Sequence, residues 1–138
     1  MWIVYALLSA LFASLTAILA KIGVKDIDSD LATAIRTAVI VVLAWAIVFT
    51  KGAGKGITHI SKHTLLFLVL SGCATGLSWL FYFKAIKLGE VSRVAPIDKL
   101  SVALTIVLSV VLLGEHVTAK ELVGVGLILG GTLVLVLA

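Results

Sequence analysis

Residues 64–88 read TLLFLVLSGCATGLSWLFYFKAIKL, without a single Asp, Glu, Arg or Pro, and the two lysines, Lys84 and Lys87, stand near the end. A helix needs about twenty apolar residues, at about 1.5 Å each, to cross a hydrocarbon core of about 30 Å. This stretch meets that length, and a soluble domain has no interior in which to hide it. Its apolar run is continuous, unlike the alternating short strands of a barrel, so the backbone satisfies itself in lipid as a helix.

Outward from this stretch the same ruler finds four more spans: Trp2 to Ala20, Leu31 to Thr50, Val94 to Leu113 and Ala119 to Ala138. The breaks between them hold charge or Gly where helices end: Lys21 to Asp30, Lys51 to His63, Gly89 to Arg93 and Gly114 to Thr118. The second break is Gly-rich and basic and reads as a long flexible loop. The first twenty residues have no basic residue before them and equally apolar runs after them, so they read as a span and not as a cleaved leader. The expected architecture is an all-α membrane protein, a single domain over residues 1–138 with five transmembrane helices.

Composition agrees. Of 138 residues, 62% are hydrophobic and 13% charged, against about 25% charged in ordinary soluble domains, and the mean hydropathy is +1.26. The net charge of +4 comes from basic residues scattered between apolar runs. They form no stripe, so lipid headgroups, not nucleic acid, are the expected partner. Cys73 is the lone cysteine and sits in an apolar run, where it reads as packing.

Orientation follows the Lys and Arg of short loops. One set of loops carries Lys51, Lys55, Lys62 and Lys120, and the other Lys21, Lys25, Lys84, Lys87 and Arg93. Four against five is almost no bias. One reading is insertion both ways, giving an antiparallel homodimer; the other is a fixed orientation set by the basic second loop.

Residues three and four apart share a helix face. In the third span Ser71, Thr75, Ser78 and Tyr82 form a polar stripe, beside a face of Gly72, Gly76, Trp79 and Phe83. The stripe reads either as the wall of a solute cavity or as hydroxyls bonded back to their own helix, and Gly72 and Gly76 read as a packing seam. The fourth span repeats the pattern with Asp98, Ser101, Thr105 and Ser109, and its Pro96 is expected in the first turn, where a missing N–H is tolerated. Gly126 and Gly130 of the fifth span make a second packing seam, suited to helix association.

Arg36 and Asp98 lie inside spans that start from one face, at a similar depth of roughly 6 to 8 Å. An Arg36–Asp98 pair is geometrically allowed. Intramembrane ionisable groups are functional candidates, which makes Arg36, Asp98 and Lys99 a charged vestibule for an anionic or zwitterionic solute, with Asp98 a proton carrier. Snorkelling of Lys99, Lys21 and Lys84 to the headgroups is the plainer reading of those three. Glu115 reads as a solvated helix-end charge. His59 and His63 lack a carboxylate or Cys companion, so no metal is expected. No nucleophile stands beside a base and no phosphate or dinucleotide loop occurs, so neither enzyme activity nor a cofactor is expected.

The stretch Ala85 to Glu115, AIKLGEVSRVAPIDKLSVALTIVLSVVLLGE, and the following VTAKELVGVGLILGGTLVLV resemble the EamA-like half-domain of the drug/metabolite transporter superfamily. The features that carry the resemblance are Pro96 near a helix start, Leu100 and Ser101, Gly114 and Glu115, then Gly124, Gly130 and Gly131. Many members carry Pro where Val102 stands, so the resemblance implies no kink at that position here. Most members hold two such halves in opposite orientation, and this chain resembles one half of such an inverted repeat. The resemblance implies a multi-pass protein of the cell membrane that transports a small-molecule substrate by exchange or with a proton, as an antiparallel homodimer with its path at the interface. The small multidrug transporters of that superfamily use an acidic residue in the first span. This first span has no carboxylate, which leaves Asp98 as the coupling candidate. Two other readings stay open: a non-transporting assembly or regulatory subunit, and a half-transporter paired with a second chain.

Overall fold

The computed structural model describes residues 1–137. The helices are α1 (Trp2–Gly23), α2 (Ser29–Thr50), α3 (Lys62–Leu88), α4 (Val91–Asp98), α5 (Leu100–Leu113) and α6 (Ala119–Leu137), with a 3-10 helix at Ala53–His59. No strand occurs among the described residues. Five segments are long and apolar enough to cross a membrane, α4 and α5 together making the fourth. The fold is that of an all-α membrane protein; Ala138, the expected last residue of the fifth span, lies outside the described residues.

Helices run past the first charge because charged side chains at a membrane boundary can stay wet while their backbone remains helical. α1 continues beyond Ala20 through Lys21 to Gly23. α2 begins at Ser29 because the Asp28 carboxylate accepts from the backbone N–H of Asp30 (2.9 Å) and Leu31 (3.2 Å), an N-cap that the apolar ruler does not register. The carbonyl and hydroxyl of Ser61 do the same for α3, accepting from Leu65 N–H (2.9 Å) and Thr64 N–H (3.1 Å). At α6 the Glu121 carboxylate accepts from the Thr118 N–H at 2.6 Å, while the Glu121 N–H reaches the Thr118 hydroxyl at 3.4 Å, a reciprocal capping box.

Two expectations need correction. The fourth span starts at Val91, not Val94: the Glu90 carbonyl accepts from Arg93 N–H (3.1 Å) and Val94 N–H (3.0 Å), and the Glu90 and Arg93 side chains pair at 3.5 Å. Pro96 is therefore inside α4 and not in its first turn. With no N–H to donate, it interrupts the ladder. The helix tightens at once, Lys99 N–H bonding the Pro96 carbonyl at 3.0 Å, and breaks at Lys99. The second loop is also more ordered than its glycines suggest. Gly52 turns the chain with φ of +65°, and the 3-10 helix then lays Ile57 and Ile60 toward Ala44, Trp45 and Val48 of α2 around a small apolar cavity.

The chain divides into two compact units. In the unit Leu19–Lys87, the buried side chains Ala20, Val24, Ala32, Phe83 and Ile86 come from the end of α1, the first residue of the following loop, the start of α2 and the end of α3. Two lysines stitch that region: Lys21 Nζ donates to the Ile86 carbonyl at 2.7 Å, capping the last turn of α3, and Lys87 Nζ donates to the Ile27 carbonyl. In the unit of Met1–Ile18 with the segment from Leu88 onward, α4, α5 and α6 pack on one another. Gly114, φ +69°, ends α5 with its own N–H on the Val110 carbonyl and the Glu115 N–H on the Ser109 carbonyl. This is the left-handed helix stop that favours Gly.

Candidate functional site

α2 places Arg36 two turns from its start, and α3 places Trp79 and Phe83 four residues apart on one face. The Arg36 guanidinium sits 4.8 Å from the Trp79 ring centroid and 4.6 Å from that of Phe83. Phe83 is buried, and the Tyr82 ring meets it edge-on with centroids 6.3 Å apart. Within this unit the arginine is held by ring faces, an arrangement worth about 0.5 to 2 kcal/mol per contact depending on desolvation. It makes no hydrogen bond or ion pair with another described residue. A guanidinium carries five N–H donors in a planar fork of the kind that suits carboxylate or phosphate.

The rest of the third-span stripe is placed less tightly. Ser71, Thr75 and Ser78 are exposed, and the Thr75 hydroxyl donates to the Ser71 carbonyl at 2.9 Å, the back-bonding alternative. Trp79 and Tyr82 are partly buried. Phe83, not singled out for the site by its sequence position, is the residue that fixes Arg36; its spacing from Trp79 was the available signal.

In the other unit, the break of the fourth span gathers Asp98 and Lys99, whose side chains pair at 3.3 Å. Asp98 ends α4 and Lys99 caps the start of α5, so both charges stand where a helix is interrupted. Thr132 of α6 faces this break, its hydroxyl 3.3 Å from the Pro96 carbonyl and 2.8 Å from the Ile128 carbonyl. A hydroxyl has one proton, so it serves these two acceptors in turn or shares it between them. Thr132 is buried, whereas Ser101 and Thr105 are exposed. Thr132 was not foreseen; a single hydroxyl among glycines and aliphatics in the last span was the trace it left. Gly131 and Thr132 help to line a shallow cavity with Pro96 and Lys99.

A Cβ built on Gly72, Gly76, Gly126 or Gly130 meets no atom within 4 Å among the described residues. Their close-approach surfaces are open within this chain. No group of three His, Cys, Asp or Glu suited to a metal occurs among the described residues.

Five apolar spans, a fourth one broken beside Pro96, and a Gly-terminated α5 are the setting in which the sequence matches the EamA-like transporter family over residues 1–137. The chain belongs to the EamA-like transporter family. A Sinorhizobium sp protein bearing the name "Uncharacterized transporter in cobO 3'region" is 50% identical over 134 residues, covering 97% of this chain and 95% of the relative. No solved structure matches. As an EamA-like protein with five membrane-length apolar helices, the chain is a multi-pass integral membrane protein with a transporter role.

Proposed function

We propose that this EamA-like protein is a secondary transporter that moves a small anionic or zwitterionic metabolite across the cell membrane as an antiparallel homodimer. The observation that carries the reading is Arg36 in its aromatic clamp. A cation two turns into a span and without an acidic partner among the described residues is costly in lipid, and an anionic solute that arrives and leaves offsets that cost. Ser78, Trp79 and Tyr82 supply packing and hydrogen bonds beside it, with Ser71 and Thr75 further along the same stripe. Asp98, held by Lys99 at an interrupted helix, is the proton-coupling group, and Ser101 and Thr105 continue its face. Interrupted helices at depth are where transporters of inverted-repeat design place binding and coupling groups.

Several features support a dimer. The seams at Gly72, Gly76, Gly126 and Gly130 are open to a close neighbour, and the loop charges favour neither orientation. The 134 matched residues make up 95% of the Sinorhizobium sp relative, which leaves that protein room for one half only.

The test is uptake into proteoliposomes from a panel of labelled monocarboxylates, dicarboxylates, amino acids, neutral sugars and organic cations. Saturable uptake of an anionic or zwitterionic solute, abolished in Arg36→Gln and made independent of pH in Asp98→Asn, is expected. Uptake confined to neutral sugars or organic cations overturns the substrate assignment. No uptake of any solute, with a larger protein copurifying, turns the reading to an assembly subunit; a similar short chain copurifying turns it to a heteromeric half-transporter.

A further inference from the structure

We propose that the membrane boundary where α1 and α3 end carries a binding site for the phosphate of an anionic phospholipid headgroup, built from Lys21, Lys25 and Lys87. These three lysines, with Ile22 and Val24, line a half-open cavity of about 560 Å³, within the usual range of ligand sites. All of its charged lining is cationic. The acids of the same loop do not line it: the Asp28 carboxylate, which feels the charge of Lys87 from outside the cavity, accepts from the N–H groups of Asp30 and Leu31.

Two of the three lysines are also fixed in place. Lys21 and Lys87 are anchored through Nζ to the carbonyls of Ile86 and Ile27. An ammonium has three donors, so Lys87 has N–H groups beyond the one it gives to Ile27. Lys25 makes no hydrogen bond or ion pair among the described residues. Two anchored cations and one unengaged cation around a cavity match a phosphate, whose oxygens accept several charge-assisted bonds at once.

The apolar surroundings favour a lipid over free phosphate. Ile22, in the cavity wall, is 68% exposed, and Leu19, one turn earlier on α1, is 66% exposed. An acyl chain leaving a headgroup in the cavity has that surface to lie on, and the anionic headgroup adds electrostatic attraction for each lysine at the surface. This site rests on the charges at and just beyond the ends of α1 and α3 and not on the transport reading, and it stands if the protein transports nothing.

The experiment is native mass spectrometry and thermal unfolding of the purified full chain in neutral detergent, with added phosphatidylglycerol, phosphatidylcholine or inorganic phosphate. The expected result is retention and stabilisation by phosphatidylglycerol over phosphatidylcholine, falling about fivefold for each lysine removed in Lys25→Gln and Lys25→Gln/Lys87→Gln. Lys51→Gln, in the second loop, keeps the preference. Because Lys87 also bonds the Ile27 carbonyl, the single Lys25→Gln variant, which breaks no bond of the fold, carries the test if the double variant unfolds. Equal retention of the two lipids, or an undiminished preference in Lys25→Gln, overturns the site. Stabilisation by inorganic phosphate without preference between the lipids overturns the lipid assignment.

Discussion

The Arg36 guanidinium stands 4.6 Å from the centroid of the Phe83 ring, and that ring is 1% exposed. A buried ring is a rigid support, so the cation above it is positioned and not merely tethered by its long stem. Trp79 is close to it as well, so on the proposed transport reading the cation is held in place before a solute arrives, and less entropy is lost on binding.

Arg36→Lys keeps the charge and loses the plane, and should weaken solute affinity about tenfold, the equivalent of one to two ring contacts. Arg36→Gln should weaken it further, and Trp79→Leu by a smaller factor. Initial uptake rates against solute concentration measure this as KM. An Arg36→Lys protein with unaltered KM would mean that charge alone matters and the clamp is incidental.

Thr132 ties α6 to the interrupted fourth span through the Pro96 carbonyl. Thr132→Val, which conserves shape, leaves that carbonyl with one donor fewer and should lower unfolding stability by about 1 kcal/mol. Thr132→Ser should retain most of it. Denaturation of the detergent-solubilised protein distinguishes them, and coincident curves for the Val and Ser variants remove the hydroxyl from the account.

Span number and order were legible because hydropathy over twenty residues is a bulk property that no single contact overrides. Helix ends were less so, since Asp28 and Glu90 read as loop charges but start α2 and α4. Starting α4 at Val91, just after Glu90, moved Pro96 from a tolerated first turn to a helix interior, and hence placed the break at Lys99. Of the candidate site, the shared face of Trp79 and Phe83 follows from their spacing, but that both rings flank Arg36 does not, since contact between two helices is not written in either one. Thr132 could not be picked out, because a lone hydroxyl looks the same on a lipid face as on a packed one until a partner helix is placed.

The Asp28 carboxyl is held below its ordinary value of 3.8 by the backbone N–H groups of Leu31 and Asp30, against an opposing effect of desolvation, with the charges of Lys87 and Lys84 adding lesser downward pulls. A carboxyl depressed in the fold contributes stability that is fully present above its unfolded value and is lost as pH falls through its folded value. Lowering pH from about 5 toward 2 should therefore destabilise the unaltered protein more than Asp28→Asn, whose amide oxygen still caps α2 but does not titrate. Parallel melting temperatures across that window would contradict the cap.

Gly114 holds φ at +69°, with open space around its missing Cβ. Gly114→Ala is thus strained by backbone and not by collision, and should cost about 1 kcal/mol. Gly130, also with open space but in helical conformation, provides the contrast: Gly130→Leu should leave the monomer's helicity intact while lowering the dimer fraction seen by crosslinking in membranes. A dimer fraction insensitive to Gly130→Leu would place the association surface elsewhere.

Orientation separates the two readings of the loop charges. With Cys73→Ser as background, Gly54→Cys puts one thiol in the 3-10 helix after α2, where the new Cβ finds only ordinary contacts at 3.9 Å from the Phe49 ring. The site is outside the spans and its substitution needs no rearrangement. A membrane-impermeant maleimide applied to intact cells should label about half of the protein if near-balanced lysines let it insert both ways, and the remainder only after permeabilisation. Adding two lysines to the Gly114–Thr118 connection, which shares a face with the second loop, should then shift the labelled fraction well away from half. Complete or absent labelling before any lysine is added would mean a single orientation, and the antiparallel partner would have to be another chain.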